Sequence, residues 1–169
     1  MNRGFSILTL SLYFLVGPGT THGQSKQHVF ISDVDHFWTA YDSIQNIHDK
    51  DSQVLIMQSL YIDRGTYGLH EFMTLRKFDA TRLVESVNKY PRFWHSIRPN
   101  TLNIRENEPL IETYIRKFRI LYPEMRAANI YFTIGAIRAA GTTQDSLVLI
   151  GSEIALGDKN TDVSEFPDK

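Results

Sequence analysis

The pair His70-Glu71 is the first place in this sequence to look for chemistry. A zinc hydrolase of the H-E-x-x-H type sets two histidines one helical turn apart so that both reach one metal. The glutamate between them activates the metal-bound water. Here the stretch is HEFMT, and Thr74, a poor zinc ligand, stands where the second histidine would be. Past residue 23 the other histidines, His28, His36, His48 and His95, supply no pair at that spacing. A helix would bring His36 within a turn of Asp33, but Asp33 and Asp35 are more simply read as acids favouring a helix start. A zinc site assembled from distant histidines has no positive support in the sequence. The chain has no cysteine, which removes a thiolate nucleophile, disulfides and anchoring through a lipidated cysteine. There is no G-x-S-x-G elbow and no G-x-x-x-x-G-K-[ST] loop, so Gly135 and Gly141 are not phosphate-binding glycines. Glu108 and Glu112 form an i, i+4 acid pair of the kind a glycosidase could use, yet near a helix start it reads as solvated surface.

The first two-thirds of the chain carries helical periodicity. Ser32 offers a hydroxyl cap, and Val34, Phe37, Trp38, Tyr41 and Ile44 follow on one face. A second helix over DSQVLIMQSLYIDRG would end at Gly65 in a left-handed stop. A short third helix covers Gly68 to Lys77, and Asp79 caps a fourth holding Leu83, Val84 and Val87. Pro91 opens the next turn, with Phe93, Trp94 and Ile97 as core candidates. In the sixth, Asn107 is the cap, Glu108 and Pro109 suit the first turn, and Leu110, Ile111, Tyr114, Phe118, Leu121 and Tyr122 form one wide apolar stripe expected in the core.

After Ala128 the period changes to two. IYFTIG alternates Ile130, Phe132 and Ile134 against Tyr131 and Thr133. RAAGTTQDS is turn-like, and LVLIG is a β-rich run covered on both faces. The fold class expected is therefore α+β: a helical N-terminal half packed against a small antiparallel β hairpin. A hairpin alone is marginal in water, so it must pack on the helices.

The 169 residues suffice for one domain, and the net charge of −1 gives no field to attract nucleic acid. Residues 1–23 read as a secretory signal peptide: Arg3, the apolar run FSILTLSLYFLV, then the small-residue GPGTTHG. The run is short of the ~20 residues that span a bilayer. An uncleaved membrane anchor is the rival reading. The expected organisation is signal peptide 1–23, one domain over 24–156, and a polar, frayed tail over 157–169, with an exported protein in the periplasm or outside the cell and no membrane contact once the signal is removed.

YPEMRAANIYFTIGAIRAAGTTQDSLVLIGSEIAL resembles the secreted bacterial members of a predicted zinc-dependent protease family, a domain of uncharacterised function in the gluzincin-like group of metallopeptidases. The features carrying the resemblance are Tyr122-Pro123-Glu124 at a helix end, Ile134-Gly135, Gly141-Thr142, and Ile150-Gly151-Ser152-Glu153, in that order. The aromatic DVDHFWTAYD is also similar. The resemblance implies an incomplete zincin-like domain. The family's H-E-x-x-H helix and its further metal ligand lie beyond this point, so no catalytic residue, metal ligand or cofactor carries over. Zinc belongs to complete relatives.

What the resemblance does offer is the substrate side, an edge strand that takes up peptide as an added strand. The candidate peptide-binding residues are Gly141, Thr142, Thr143, Gly151, Ser152 and Glu153. The expected function is that of a non-catalytic part of such a peptidase, inactive by itself. The alternative is a small exported module that binds a peptide or protein through a helical groove or strand edge. Without the helix that comes next in complete relatives, some of Ile130, Phe132, Ile134, Leu147 and Leu149 should form an exposed sheet face or be hidden by self-association.

Overall fold

The apolar face written into α1 (Ser32–Ile44) becomes the centre of the core. Val34, Phe37, Trp38, Ala40, Tyr41 and Ile44 are all buried. The computed structural model of the protein describes residues 29–167. The signal-peptide reading of residues 1–23 therefore lies outside the described residues, as does His28. Around Phe37 the rings of Trp38 and Trp94 stand 5.0 Å away and that of Tyr61 5.4 Å. Aromatic packing of this kind adds to the area each ring buries. The Trp38 indole donates to Thr101 Oγ1 at 2.8 Å, so its polar edge is satisfied inside the core.

Among the described residues seven α-helices precede or flank a four-stranded mixed sheet, which makes the protein α+β. After α1 come α2 (Lys50–Met57), capped by Asp49, and a π-helical turn over Gln58–Ile62 closed by Asp63 N–H on the Gln58 carbonyl at 2.8 Å. Next are α3 (Tyr67–Arg76), α4 (Ala80–Lys89), α5 (Pro91–Leu102) and α6 (Ile104–Leu121). Asp79 caps α4 as its type and position predict, accepting from Arg82 N–H at 2.9 Å. The short α7 (Ser152–Ala155) comes after the last strand.

Several expectations need correction. Ser32 is the first residue of α1 and caps nothing; Ile31 is the capping position. Gly65 is not left-handed. It is glycine because a Cβ there would lie 2.5 Å from the Leu69 side chain and 2.9 Å from the Ile62 carbonyl. Asn107 is interior to α6, which starts at Ile104 directly after α5, with the helical residue Asn103 between them. The tail is anchored over its described part. Phe166 packs on Tyr90 and Phe93, and the Glu165 carboxylate accepts from Phe93 N–H at 3.0 Å.

The sheet order is β1-β2-β4-β3, with β1 (Val29–Phe30), β2 (Asn129–Thr133), β3 (Gly141–Gln144) and β4 (Leu147–Gly151). The two strands read from the sequence, β2 and β4, lie side by side but parallel, Tyr131 opposite Leu149. The antiparallel hairpin is formed by β4 with β3, the stretch that reads as a turn. Helices α1 and α3 cover the sheet. Gly68 of α3 rests so closely on β2 that a Cβ would fall 2.1 Å from the Tyr131 ring.

The expected exposed sheet face is absent. Phe132, Ile134, Leu147 and Leu149 are buried and Ile130 is half-buried. A run of exposed apolar residues lies instead along α6: Leu110, Tyr114, Phe118, Leu121 and Tyr122 all face solvent, against their expected place in the core, while Ile111 of the same stripe is half-buried. No helix of the described residues is long and apolar enough to cross a membrane.

Candidate functional site

Strand β3 lies at the sheet edge, and among the described residues no strand pairs with its outer side. The ladder to β4 is fixed by the Gly151 N–H on the Ala140 carbonyl at 2.9 Å. Antiparallel pairing alternates, so Thr142 and Gln144 turn their peptide groups toward β4 while Gly141 and Thr143 turn theirs outward. The Gly141 carbonyl is taken by Arg76 Nη2 at 3.1 Å. Thr143 is exposed, and its N–H and C=O have no strand partner. Gly141 must be glycine for a separate reason: a Cβ would approach the Leu149 carbonyl to 2.8 Å.

A cleft of about 410 Å³ lies between α4 and residues 136–138, lined by Arg82, Glu85, Lys89, Tyr90, Arg138 and Phe166 among others, and Glu85 is paired with Lys50. Arg138 Nε donates to the Arg76 carbonyl at 3.3 Å, and Arg76 reaches Gly141. One hydrogen-bonded chain thus joins this basic cleft to the strand edge.

The other three candidate residues are inside the protein. A Cβ on Gly151 would collide with the Ala139 carbonyl at 2.1 Å. Ser152 and Glu153 are fully buried. Glu153 Oε1 accepts from Gly135 N–H and Ile137 N–H, both at 2.9 Å. Ala136 and Ile137 hold left-handed backbone, φ 53° and 58°, a conformation a β-branched residue adopts only at a cost of about 1–2 kcal/mol. The carboxylate gathers the amides of this strained loop as a bound anion would. Burial pushes the Glu153 carboxyl up to about 7, against the lowering effect of its backbone hydrogen bonds. Ser152 Oγ and Glu153 Oε2 have no hydrogen-bond partner among the described residues. The structure therefore splits the six candidates: Gly141, Thr142 and Thr143 form an accessible edge, and Gly151, Ser152 and Glu153 hold the loop that leads to it.

The His-Glu pair of α3 stays apart from both. His70 is exposed, and Thr74 Oγ1 donates to the His70 carbonyl at 3.0 Å within the helix. Among the described residues no three His, Cys, Asp or Glu side chains converge to hold a metal ion.

Sequence reasoning missed two positioning contacts. Asp33, read only as an acid favouring a helix start, does lie in the first turn of α1 but is buried. Its carboxylate accepts from Thr66 N–H at 2.8 Å and Thr66 Oγ1 at 2.6 Å, and desolvation raises its pKa. Thr66 itself caps α3, and a threonine just ahead of a helical run is a signal for that cap. Tyr61, inside the stretch read as the second helix, is fully buried and hydrogen-bonds the main chain at Ile134. No local pattern points to a contact between residues so far apart. Comparison with protein-family models, with curated proteins and with solved structures gives no match to this chain.

Proposed function

We propose that this protein is an exported, non-catalytic peptide-binding module of zinc-peptidase-like ancestry, in which an extended segment of a partner adds to the outer edge of β3. The observation that carries this reading is the outward N–H and C=O of exposed Thr143 on an edge strand with no neighbouring strand among the described residues. Main-chain pairing supplies affinity in strand addition, and side-chain pockets supply selectivity. The cleft linked to Gly141 through Arg138 and Arg76 carries Arg82, Lys89 and Arg138 against one acid, Glu85, which Lys50 already neutralises, and so favours a ligand with a carboxylate at the end that passes Gly141.

The test is calorimetric titration with a panel of unstructured peptides, acidic and basic, against the wild type and Thr143→Pro. Proline removes the outward donor without touching the ladder to β4, since edge positions of this kind tolerate it. Selective binding of acid-bearing peptides, lost in the proline variant, is the expected result. Binding that survives Thr143→Pro, or no selectivity across the panel, rejects the strand-edge site.

A further inference from the structure

Helix α6 has 18 residues, of which only Ile104 is buried. It meets the rest of the fold chiefly through α5 and through the ion pair of Arg105 with Asp35. Most of its apolar residues are spaced three and four apart. Exposed Tyr114, Phe118, Leu121 and Tyr122 and half-buried Ile111 and Ile115 fall on one stripe at about 100° per residue, with exposed Leu110 at its margin and exposed Ile120 on the other side of the helix. Leu121 is 82% exposed and Tyr114 58%. That spacing is the seam of a two-helix coil, which is held together by its partner helix.

The charges beside the stripe select the partner. Glu108, Glu112 and Arg119 run along one flank, and Glu106 and Lys117 along the other. On each flank the acids lie toward the N-terminus and the base toward the C-terminus. Two antiparallel copies set each flank beside its own counterpart, so Glu108 and Glu112 meet the second copy's Arg119, and Glu106 meets its Lys117. A parallel pair would set Glu106 beside Glu108 and Glu112, and Lys117 beside Arg119, with like charges together. The Glu106–Lys117 pairing is centred between residues 111 and 112, Glu108–Arg119 between 113 and 114, and Glu112–Arg119 between 115 and 116, so the register that serves all three within one helical turn is centred at Thr113 and Tyr114. In that register the second copy's Leu121 and Tyr122 fall beside residues 105 and 106. A cleft of about 430 Å³ lies there, lined by Pro99, Asn100, Leu102, Asn103 and Glu106.

We propose that α6 is a dimerisation helix that docks antiparallel on α6 of a second copy of this chain, its two-fold axis passing near Tyr114 and the helix end filling the cleft at the α5–α6 bend. The test is sedimentation of the intact protein over a wide concentration series. The wild type should dimerise. Leu121→Glu, at a position that packs on nothing, should keep its thermal midpoint and sediment as a monomer. Glu106→Lys and Lys117→Glu should each weaken the dimer about tenfold, since each dimer contains the pair twice. An equimolar mixture of the two variants should recover wild-type affinity, because the heterodimer restores both pairs. A wild type that stays monomeric at every concentration overturns the proposal, as does a dimer unaffected by Leu121→Glu or a mixture no tighter than its components. A monomer captured by anionic lipid vesicles through this helix also overturns it, by assigning the stripe to a membrane surface.

Discussion

Tyr61 and Ile134 exchange two hydrogen bonds in the core: the Tyr61 hydroxyl donates to the Ile134 carbonyl at 2.7 Å and accepts from the Ile134 N–H at 2.9 Å. The phenol thus completes the main chain just past the end of β2, where the sheet ladder has stopped. Tyr61→Phe leaves both peptide groups buried and unpaired. The expected loss is about 2–4 kcal/mol of unfolding free energy, measured by urea titration. A loss below about 0.5 kcal/mol, the scatter of neutral surface changes, would show that water or a shift of the chain replaces the hydroxyl.

Glu153 gives stability a pH dependence of definite sign. Its carboxyl titrates near 7 in the folded protein against an ordinary value of 4.5. Between those values the folded state holds a proton that the unfolded state has released. Its effect is therefore a fall in stability as pH rises from about 4.5, complete above about 7, and amounting to roughly 3 kcal/mol. Glu153→Gln lacks that slope. The stability difference between wild type and variant should move in the variant's favour as pH rises through this window. A difference that stays flat with pH places the carboxyl in its ordinary range.

Gly68→Ala tests the contact of α3 on the sheet. In an isolated helix alanine would gain about 1 kcal/mol over glycine. Here the added carbon meets Tyr131, whose ring is already stacked on Phe30 with centroids 4.5 Å apart and interplanar angle 7°. Overpacking should win, for a net loss of about 1–3 kcal/mol in a thermal or urea melt. A more stable variant would mean that α3 can slide away from β2.

Thr66→Ala removes two side-chain bonds at once: the cap on Leu69 N–H at 3.3 Å and the donation to Asp33 at 2.6 Å. The backbone bond from Thr66 N–H to Asp33 remains. The expected cost is about 1–3 kcal/mol. Thr66→Ser, which keeps the hydroxyl, should recover most of it. Equal losses in both variants would assign the effect to the methyl group instead.

The buried stripe of α1, the Asp79 cap of α4 and the core positions Phe93, Trp94 and Ile97 are legible in the sequence, because each depends on a few consecutive turns. Strand pairing is less so. Alternation in IYFTIG and the apolar run LVLIG announce two strands but carry nothing about direction, which is set by where β3 folds back. Strand β3 itself is four residues, Gly-Thr-Thr-Gln, too polar and too short for a periodic signal. The α6 stripe fails for another reason: periodicity says that one face avoids water, and leaves open whether the cover belongs to the same chain. Of the candidate site, Gly141 to Thr143 lie on the edge strand of the sheet. Ser152 and Glu153 come directly after β4, but their side chains turn inward to a loop whose left-handed residues, Ala136 and Ile137, are not glycines and so give no warning.

The π-helical turn at Gln58–Ile62 gives that part of the chain room for a change of length. A turn of this type holds one residue more than a regular helical turn and absorbs it locally, so α2 before it and Tyr61 and Ile62 within it keep their faces toward the same core. Deleting one residue from this turn should close it to a regular α-helical turn and leave those faces nearly in phase. The same deletion inside α2 would rotate the residues before it by about 100°, so it should be tolerated far less well.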